Sequence, residues 1–501
     1  MAMKLLMLVI FFAIMVSVGI YARKHATSVD GYVLGGRSVG PWLTAFAYGT
    51  SYFSAVVFVG YAGQFGWKYG LASTWIGIGN AIIGSLLAWV VLGRRTKVMT
   101  QHLNSKTMPD FFGERYGSKA LKITASAIVF IFLVPYTASV YNGLSRLFGM
   151  AFNIPYKYCV IGMAVFTGIY VILGGYMATA INDFIQGIIM LGGIVAVILA
   201  VLNGQGGFIQ AIKTMAEIPS DVPVTMGQPG AFTSFFGPDP LNLLGVVILT
   251  SLGTWGLPQM VGKFYAIKDE KSINTGTVIS TLFAILISGG CYFLGGFGRL
   301  FDAPELHDEA GNMIFDGIIP HMLSTLPDIL IGIVVVLVLS ASMSTLASLV
   351  LTSSSTLTLD FLKDKKQVRT MQVMVVFFIV LSVVIAMDPP TFIAQLMGIS
   401  WGALAGAFLA PFMYGLYWKG VTRAAVWASF ASGVGITVLN LFFHFIASPI
   451  NAGAVAMVAG LIVVPVVSVL TPKLKKDRVD EIFACYDEKV TITKKRSLEQ
   501  N

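Results

Sequence analysis

Residues 40–66 read GPWLTAFAYGTSYFSAVVFVGYAGQFG, a run long enough and apolar enough to cross a bilayer. It opens on Pro41 and is interrupted at mid-span by Gly49, Thr50, Ser51, Tyr52, Phe53 and Ser54. A second run, LNLLGVVILTSLGTWGLPQMVGKF at 241–264, places Gly253, Thr254, Trp255, Gly256, Leu257 and Pro258 near its middle. Glycine and proline release backbone carbonyls from the helical ladder, which inside a membrane is tolerable only where protein or a water-filled cavity satisfies them. Broken helices of this kind mark binding sites in transporters. The two interrupted runs lie five spans apart, so spans two to six and seven to eleven read as two five-helix repeats of opposite orientation, the plan of an inverted-repeat secondary transporter. Packing and kinks alone are the competing explanation, since both residues are common in membrane helices. The paired placement favours the transporter.

The rest of the chain agrees with a membrane protein. Of 501 residues 56% are hydrophobic and 11% charged, and the mean hydropathy is +0.80, more apolar surface than one soluble core can hide. Apolar runs recur at roughly 3–22, 41–65, 73–93, 121–150, 157–175, 180–202, 241–261, 276–298, 327–355, 370–387, 391–417, 424–446 and 452–471, which makes thirteen spans. The expected organisation is an extra N-terminal helix at 3–22, a first repeat at 41–202, a second at 241–417, two extra helices within 424–471 and a tail at 472–501. The first run ends at Arg23 and Lys24 without a convincing small-residue cleavage site, so it reads as a retained helix and not a signal peptide. With the N-terminus outside, the connections 23–37, 94–122, 263–271, 363–369 and 419–423 and the tail from 473 fall in the cytoplasm and hold 27 of the 33 Lys and Arg residues. The net charge of +9 therefore reports topology and not a nucleic-acid partner. The segment 203–239, rich in Gly and Pro, reads as an outer loop or cap with room for a short surface helix, and the tail as solvated and partly disordered.

The second polar signal is residues 337–360, LVLSASMSTLASLVLTSSSTLTLD, hydroxyl after hydroxyl at the end of an apolar run. On an α-helix the Ala341 carbonyl lies over the side chains of Ser344 and Thr345, so three neutral oxygens converge on one point. Completed by carbonyls from an unwound neighbour, they suit a hard monovalent cation such as sodium. Serines and threonines in membrane helices also bond back to their own carbonyls or join helices, so the helix alone leaves both readings open. Asp183, at the start of the sixth span, is a costly intramembrane carboxylate that either attracts a departing cation or answers the helix dipole. Cys159, Cys291 and Cys485 form no metal-binding or disulfide pattern. The five histidines are scattered, and neither paired intramembrane carboxylates nor a nucleotide-binding loop is present, which argues against an enzyme and against ATP-driven transport. One localised polar site speaks against a channel, and a tail of about 30 residues after Thr471 against a sensor with a signalling domain.

Four segments, GGRSVGPWLTAF, GGYMATAINDFIQG, GLPQMVGKFYAIKD and MSTLASLVLTSSSTLTLD, in this order and spacing resemble the sodium/solute symporter family of proline, pantothenate, sugar and sialic acid transporters. The resemblance covers about residues 3–471. It implies an all-α polytopic membrane protein with a leucine-transporter-like core of ten helices, sodium-driven alternating access in the cytoplasmic membrane, and no cofactor besides the coupling ion. A monomer would suffice for function, with the oligomeric state left open. The motif match implies a sodium site of the Thr50, Phe53 and Ala341 carbonyls with the Ser344 and Thr345 hydroxyls, and Asp183 on the inward exit path. Some members bind a further sodium through two adjacent serines; here those positions are Ala347 and Ser348, which implies one sodium per cycle. Proton coupling through Asp183 is the rival mechanism. Around the solute the expected side chains are Tyr52, Ser54, Tyr136, Thr254, Trp255 and Gln259. The proline branch carries an aspartate at Tyr52 and a tryptophan at Thr250, whereas TSYFSAVVFVGYAG, INDFIQGIIML, GLPQMV and GGFGRLF look closer to the pantothenate branch. The implied solute is a small organic acid such as pantothenate, with proline, another amino acid or a sugar as the alternative.

Overall fold

A computed structural model describes residues 2–360, 367–388 and 393–486; residues 487–501 of the expected tail and 363–366 of one basic connection lie outside the described residues. Among the described residues, eleven helices are long and apolar enough to cross a membrane. Two of them are double. Val56–His102 passes through a sharp turn at Gly70, whose φ of 60° is open to glycine at no steric cost. Tyr156–Gly204 reverses at Gly175, where φ is 51°. The reversal follows from its neighbours: Tyr170 donates to the Met343 carbonyl at 2.6 Å, while beyond the turn Gly193 lies against Leu337, further back along the same partner helix. Eleven helices with two folded back give thirteen crossings among the described residues.

The crossings differ in what covers them. In Asp328–Asp360 and Ile393–Tyr417, 78% and 89% of the apolar window is buried, against 22% in Lys4–His25. The first two are therefore central. The N-terminal helix presents Leu5, Leu6, Val9 and Ile10 outward, an apolar face that lipid satisfies.

Both interrupted runs are broken helices. Pro41–Tyr52 ends at Phe53, whose φ of −106° and ψ of 102° are extended, and the chain resumes as the π-helical turns Val56–Tyr61. Pro240–Leu252 runs into one tight turn, Gly253–Trp255, and restarts at Pro258–Ala266. Proline suits a first helical turn, where its missing N–H has no partner to lose.

Two expectations fail. Lys263, counted with a basic connection, sits in the restarted helix and is 3% exposed. The tail, expected to be solvated, begins with an ordered helix, Lys476–Phe483, whose Val479, Ile482 and Phe483 are buried. The spacing of three and four residues places these side chains on one face, and Phe483 receives the guanidinium of Arg115 at 5.0 Å. The segment 203–239 contains the helix Phe208–Ala216, with Ala211 and Met215 packed beside Phe232 and Phe297. Arg299 pins this segment, bonding Asp221 at 2.6 Å and lying 3.8 Å over the Phe232 ring.

Candidate ion and solute site

The break at Phe53 faces the hydroxyl-rich stretch of Asp328–Asp360. The Thr50 carbonyl accepts from the Ser344 hydroxyl at 2.9 Å and from Thr345 Oγ1 at 3.2 Å. Both hydroxyls also lie 3.1 Å from the Ala341 carbonyl. They bond back to their own helix as membrane serines and threonines do, and from the same position reach the broken one. Thr345 Oγ1 is also 3.5 Å from the Ser51 carbonyl. Thr50, Ala341, Ser344 and Thr345 are thus brought together, and Phe53 supplies the extended peptide at the break itself. All these residues are buried. Two carbonyls and two hydroxyls, all neutral, form a donor set suited to a hard monovalent cation.

Asp183 is fully buried nearby, and its partner is Lys263, with Nζ 3.7 Å from Oδ2. The ammonium donates to Ser348 Oγ at 2.9 Å, and Ser348 Oγ lies 2.7 Å from Ser51 Oγ. Sequence reasoning missed Lys263 as a buried partner. A basic residue near a span end reads as a loop charge unless the helix is known to restart before it.

The six candidate solute residues divide. The Tyr52 hydroxyl donates to the Thr250 carbonyl, and its ring stacks on Trp401 at 5.9 Å. Tyr136 meets Trp401 edge-on, also at 5.9 Å. Trp401, missed from sequence, is therefore the hub of an aromatic cluster; its segment, ISWGALAG, reads as ordinary small-residue packing. Thr254 and Trp255 face the π-helical turns Asn80–Leu87: the Thr254 hydroxyl donates to the Gly84 carbonyl at 3.1 Å, and the Trp255 indole to the Ile83 carbonyl at 2.9 Å. Ser54 is turned to the backbone and accepts the Val56 amide at 3.2 Å. Gln259 is 2% exposed, and neither polar atom of its side-chain amide has a partner among the described residues. A buried amide without a hydrogen-bond partner is costly. Gln259 lines a crevice together with Lys106, Thr107, Tyr176, Lys263 and Ser348.

The family and the fold follow from known proteins. The model of the sodium:solute symporter family matches residues 32–433. A sodium/proline symporter of Staphylococcus aureus (strain NCTC 8325 / PS 47) is 30% identical over 500 residues, covering 94% of this chain and 92% of the relative. Among solved structures, a sodium-coupled sialic acid symporter in a substrate-bound outward-open state superposes with a TM-score of 0.77 at 16% identity, covering 94% of this chain and 98% of that one. The nucleobase-cation-symport-1 family transporter Mhp1 in a closed conformation gives 0.54 at 14% identity, with 90% and 97% covered. The fold is the leucine-transporter-like inverted repeat.

The leaning toward the pantothenate branch is overturned by the sodium/proline relatives. The strings that carried it include scaffold. GGFGRLF positions Arg299, which bonds the Trp67 carbonyl at 2.7 Å, and INDFIQGIIML places Asn182 and Gln186 against Met15. The two departures from the proline pattern are neighbours in space, because the Tyr52 hydroxyl donates to the Thr250 backbone carbonyl.

This is a multi-pass membrane protein, a transporter and not an enzyme, that couples the movement of a small organic solute to sodium. With the family model matched over residues 32–433 and a relative 30% identical across nearly its whole length, the chain belongs to the sodium:solute symporter family.

Proposed function

We propose that this chain imports proline or a closely related small amino acid together with sodium across the cytoplasmic membrane, with its N-terminus outside and its C-terminus in the cytoplasm. The observation that carries the coupling is the meeting of the Ser344 and Thr345 hydroxyls on the Thr50 carbonyl, beside the break that ends the Pro41–Tyr52 helix. Sodium is held there by the Thr50, Phe53 and Ala341 carbonyls and the two hydroxyls. It bridges the first helix of the repeat 41–202 to the third helix of the repeat 241–417, and so stabilises the arrangement in which the solute pocket is ordered. The solute class is supported by the curated relatives, named sodium/proline symporters.

Solute lies against the Tyr52, Tyr136 and Trp401 rings, bounded by Ser54, Thr254 and Trp255, with the unsatisfied Gln259 amide as its polar contact. Binding of both ligands permits closure; the bundle then rocks, and the ion leaves along the route past Asp183. Uptake into proteoliposomes across a panel of amino acids and organic acids tests the reading, with an imposed sodium gradient, a proton gradient or neither. Uptake of proline or a near analogue driven by sodium alone supports it. Uptake driven by protons alone, or of organic acids only, refutes it.

A further inference from the structure

The Asp183–Lys263 pair lies next to the proposed ion site without belonging to it. Asp183 and Lys263 expose 1% and 3% of their side chains. Burying two charges is expensive, and an intramembrane pair is a mark of function. The ammonium is the cation beside the buried carboxylate. The ammonium takes one hydroxyl, Ser348, at 2.9 Å and one carboxylate, Asp183, at 3.7 Å, and Ser51 Oγ stands a further 2.7 Å beyond Ser348. Neither Asp183 oxygen has a hydrogen-bond donor of its own among the described residues. The Tyr176 ring covers Nζ from another side at 5.3 Å.

We propose that the Lys263 ammonium is a tethered cation: it fills a second cation site made by Asp183, Ser348 and Ser51, and thereby limits transport to one sodium per solute. This rests on the sodium-symport reading of the neighbouring site and adds a determinant of stoichiometry to it.

A carboxylate with two hydroxyls is an oxygen donor set that suits a hard cation as well as an ammonium. The two sites are also joined. The Ser51 hydroxyl pairs with that of Ser348, which the ammonium bonds, while the Ser51 carbonyl lies 3.5 Å from Thr345 Oγ1. Ser348 follows Ser344 by about one helical turn on the same face. The lysine comes from the second broken helix, past its restart at Pro258, and reaches the break of the first. A mobile sodium in that place would add one ion to each cycle; a side chain that never leaves adds none.

The test counts ions. Equilibrium binding of radioactive sodium to the purified full chain, and the reversal potential of solute-coupled current in proteoliposomes, give the number of ions bound and moved. Wild type binds and carries one. Lys263→Ala, which removes the ammonium and opens the space, binds two, and its sodium dependence steepens from a Hill coefficient of about 1 toward about 2. Lys263→Arg keeps one, and Lys263→Ala/Asp183→Asn returns the count to one. Two ions in wild type, or one ion in a transporting Lys263→Ala, overturns the proposal and leaves sodium symport intact. If Lys263→Ala does not fold, Lys263→Ser takes its place with the same two outcomes: two ions support the proposal and one overturns it. Uptake indifferent to sodium in wild type is the different failure, that of the symport reading itself.

Discussion

The Ser344 hydroxyl lies 2.9 Å from the carbonyl oxygen of Thr50, 294 residues earlier in the chain. The contact ties a continuous helix to a broken one, and an ion between them draws on oxygens that already face each other. A hydroxyl on a charged partner contributes about 1.5–3 kcal/mol. Ser344→Ala and Thr345→Ala are therefore each expected to raise the sodium concentration for half-maximal uptake about tenfold to a hundredfold. Sodium titration of uptake checks this, with Ser355→Ala, further along the same helix, as the comparison that stays near wild type.

Tyr52 and Thr250 are expected to behave as one unit. Tyr52→Asp buries a carboxylate and strips the Thr250 carbonyl of its donor, while Thr250→Trp overfills a closed space. The double variant exchanges volume for volume, so its loss of thermal stability should be smaller than the sum of the two single losses by about 1–3 kcal/mol. Additive losses would show that the two positions are independent.

Lys122 holds a buried carboxylate at the basic end of the bundle. Its ammonium is 3.1 Å from Asp360, whose side chain is 0% exposed, and 2.6 Å from Asp110, while the Ser126 hydroxyl donates to Asp360 at 2.8 Å. Lys122→Met leaves Asp360 uncompensated and should cost about 3–5 kcal/mol. Adding Asp360→Leu should restore most of it. Thermal unfolding in detergent measures both, and a double variant no better than the single would contradict the pairing.

Asp316 predicts a pH dependence. It lies in the short helix Phe315–Ser324, outside the spanning helices, with Arg146 at 4.0 Å and the Ile393 amide at 3.3 Å. Burial pushes its carboxyl above the usual carboxylate range, against the smaller opposing pull of Arg146. A raised folded-state value means that its stabilising contribution is full below about pH 4, the unfolded value, and is lost as pH rises through the raised one. Wild type should therefore lose thermal stability relative to Asp316→Asn over that window. A difference between the two that does not change with pH would refute it.

Much of the fold was legible because its signals are local. Pro41 and Pro258 open helices at their first turn and Gly253 begins the tight turn between two of them, all local effects, and hydroxyls one turn apart share a face in any helix. Lys263 and Trp401 were not legible as site residues, because their roles depend on which helices pack together. Lys263 belongs to the site only because its helix restarts at Pro258 and turns the side chain inward. Trp401 has its place only through Tyr52 and Tyr136, hundreds of residues away. The tail helix was hidden by its charge: partly exposed Asp480, which pairs with Lys419 at 2.6 Å, stands among the buried Val479, Ile482 and Phe483.

The most direct test of sodium coupling at the broken helix is reciprocal. Sodium affinity is measured with and without the solute identified by uptake, and solute affinity with and without sodium, on the same purified protein. The account predicts that each ligand tightens the other by one common factor, as linkage requires, and that Ser344→Ala abolishes the effect in both directions. Independent binding of the two ligands, or an unaltered mutual effect in Ser344→Ala, would contradict it.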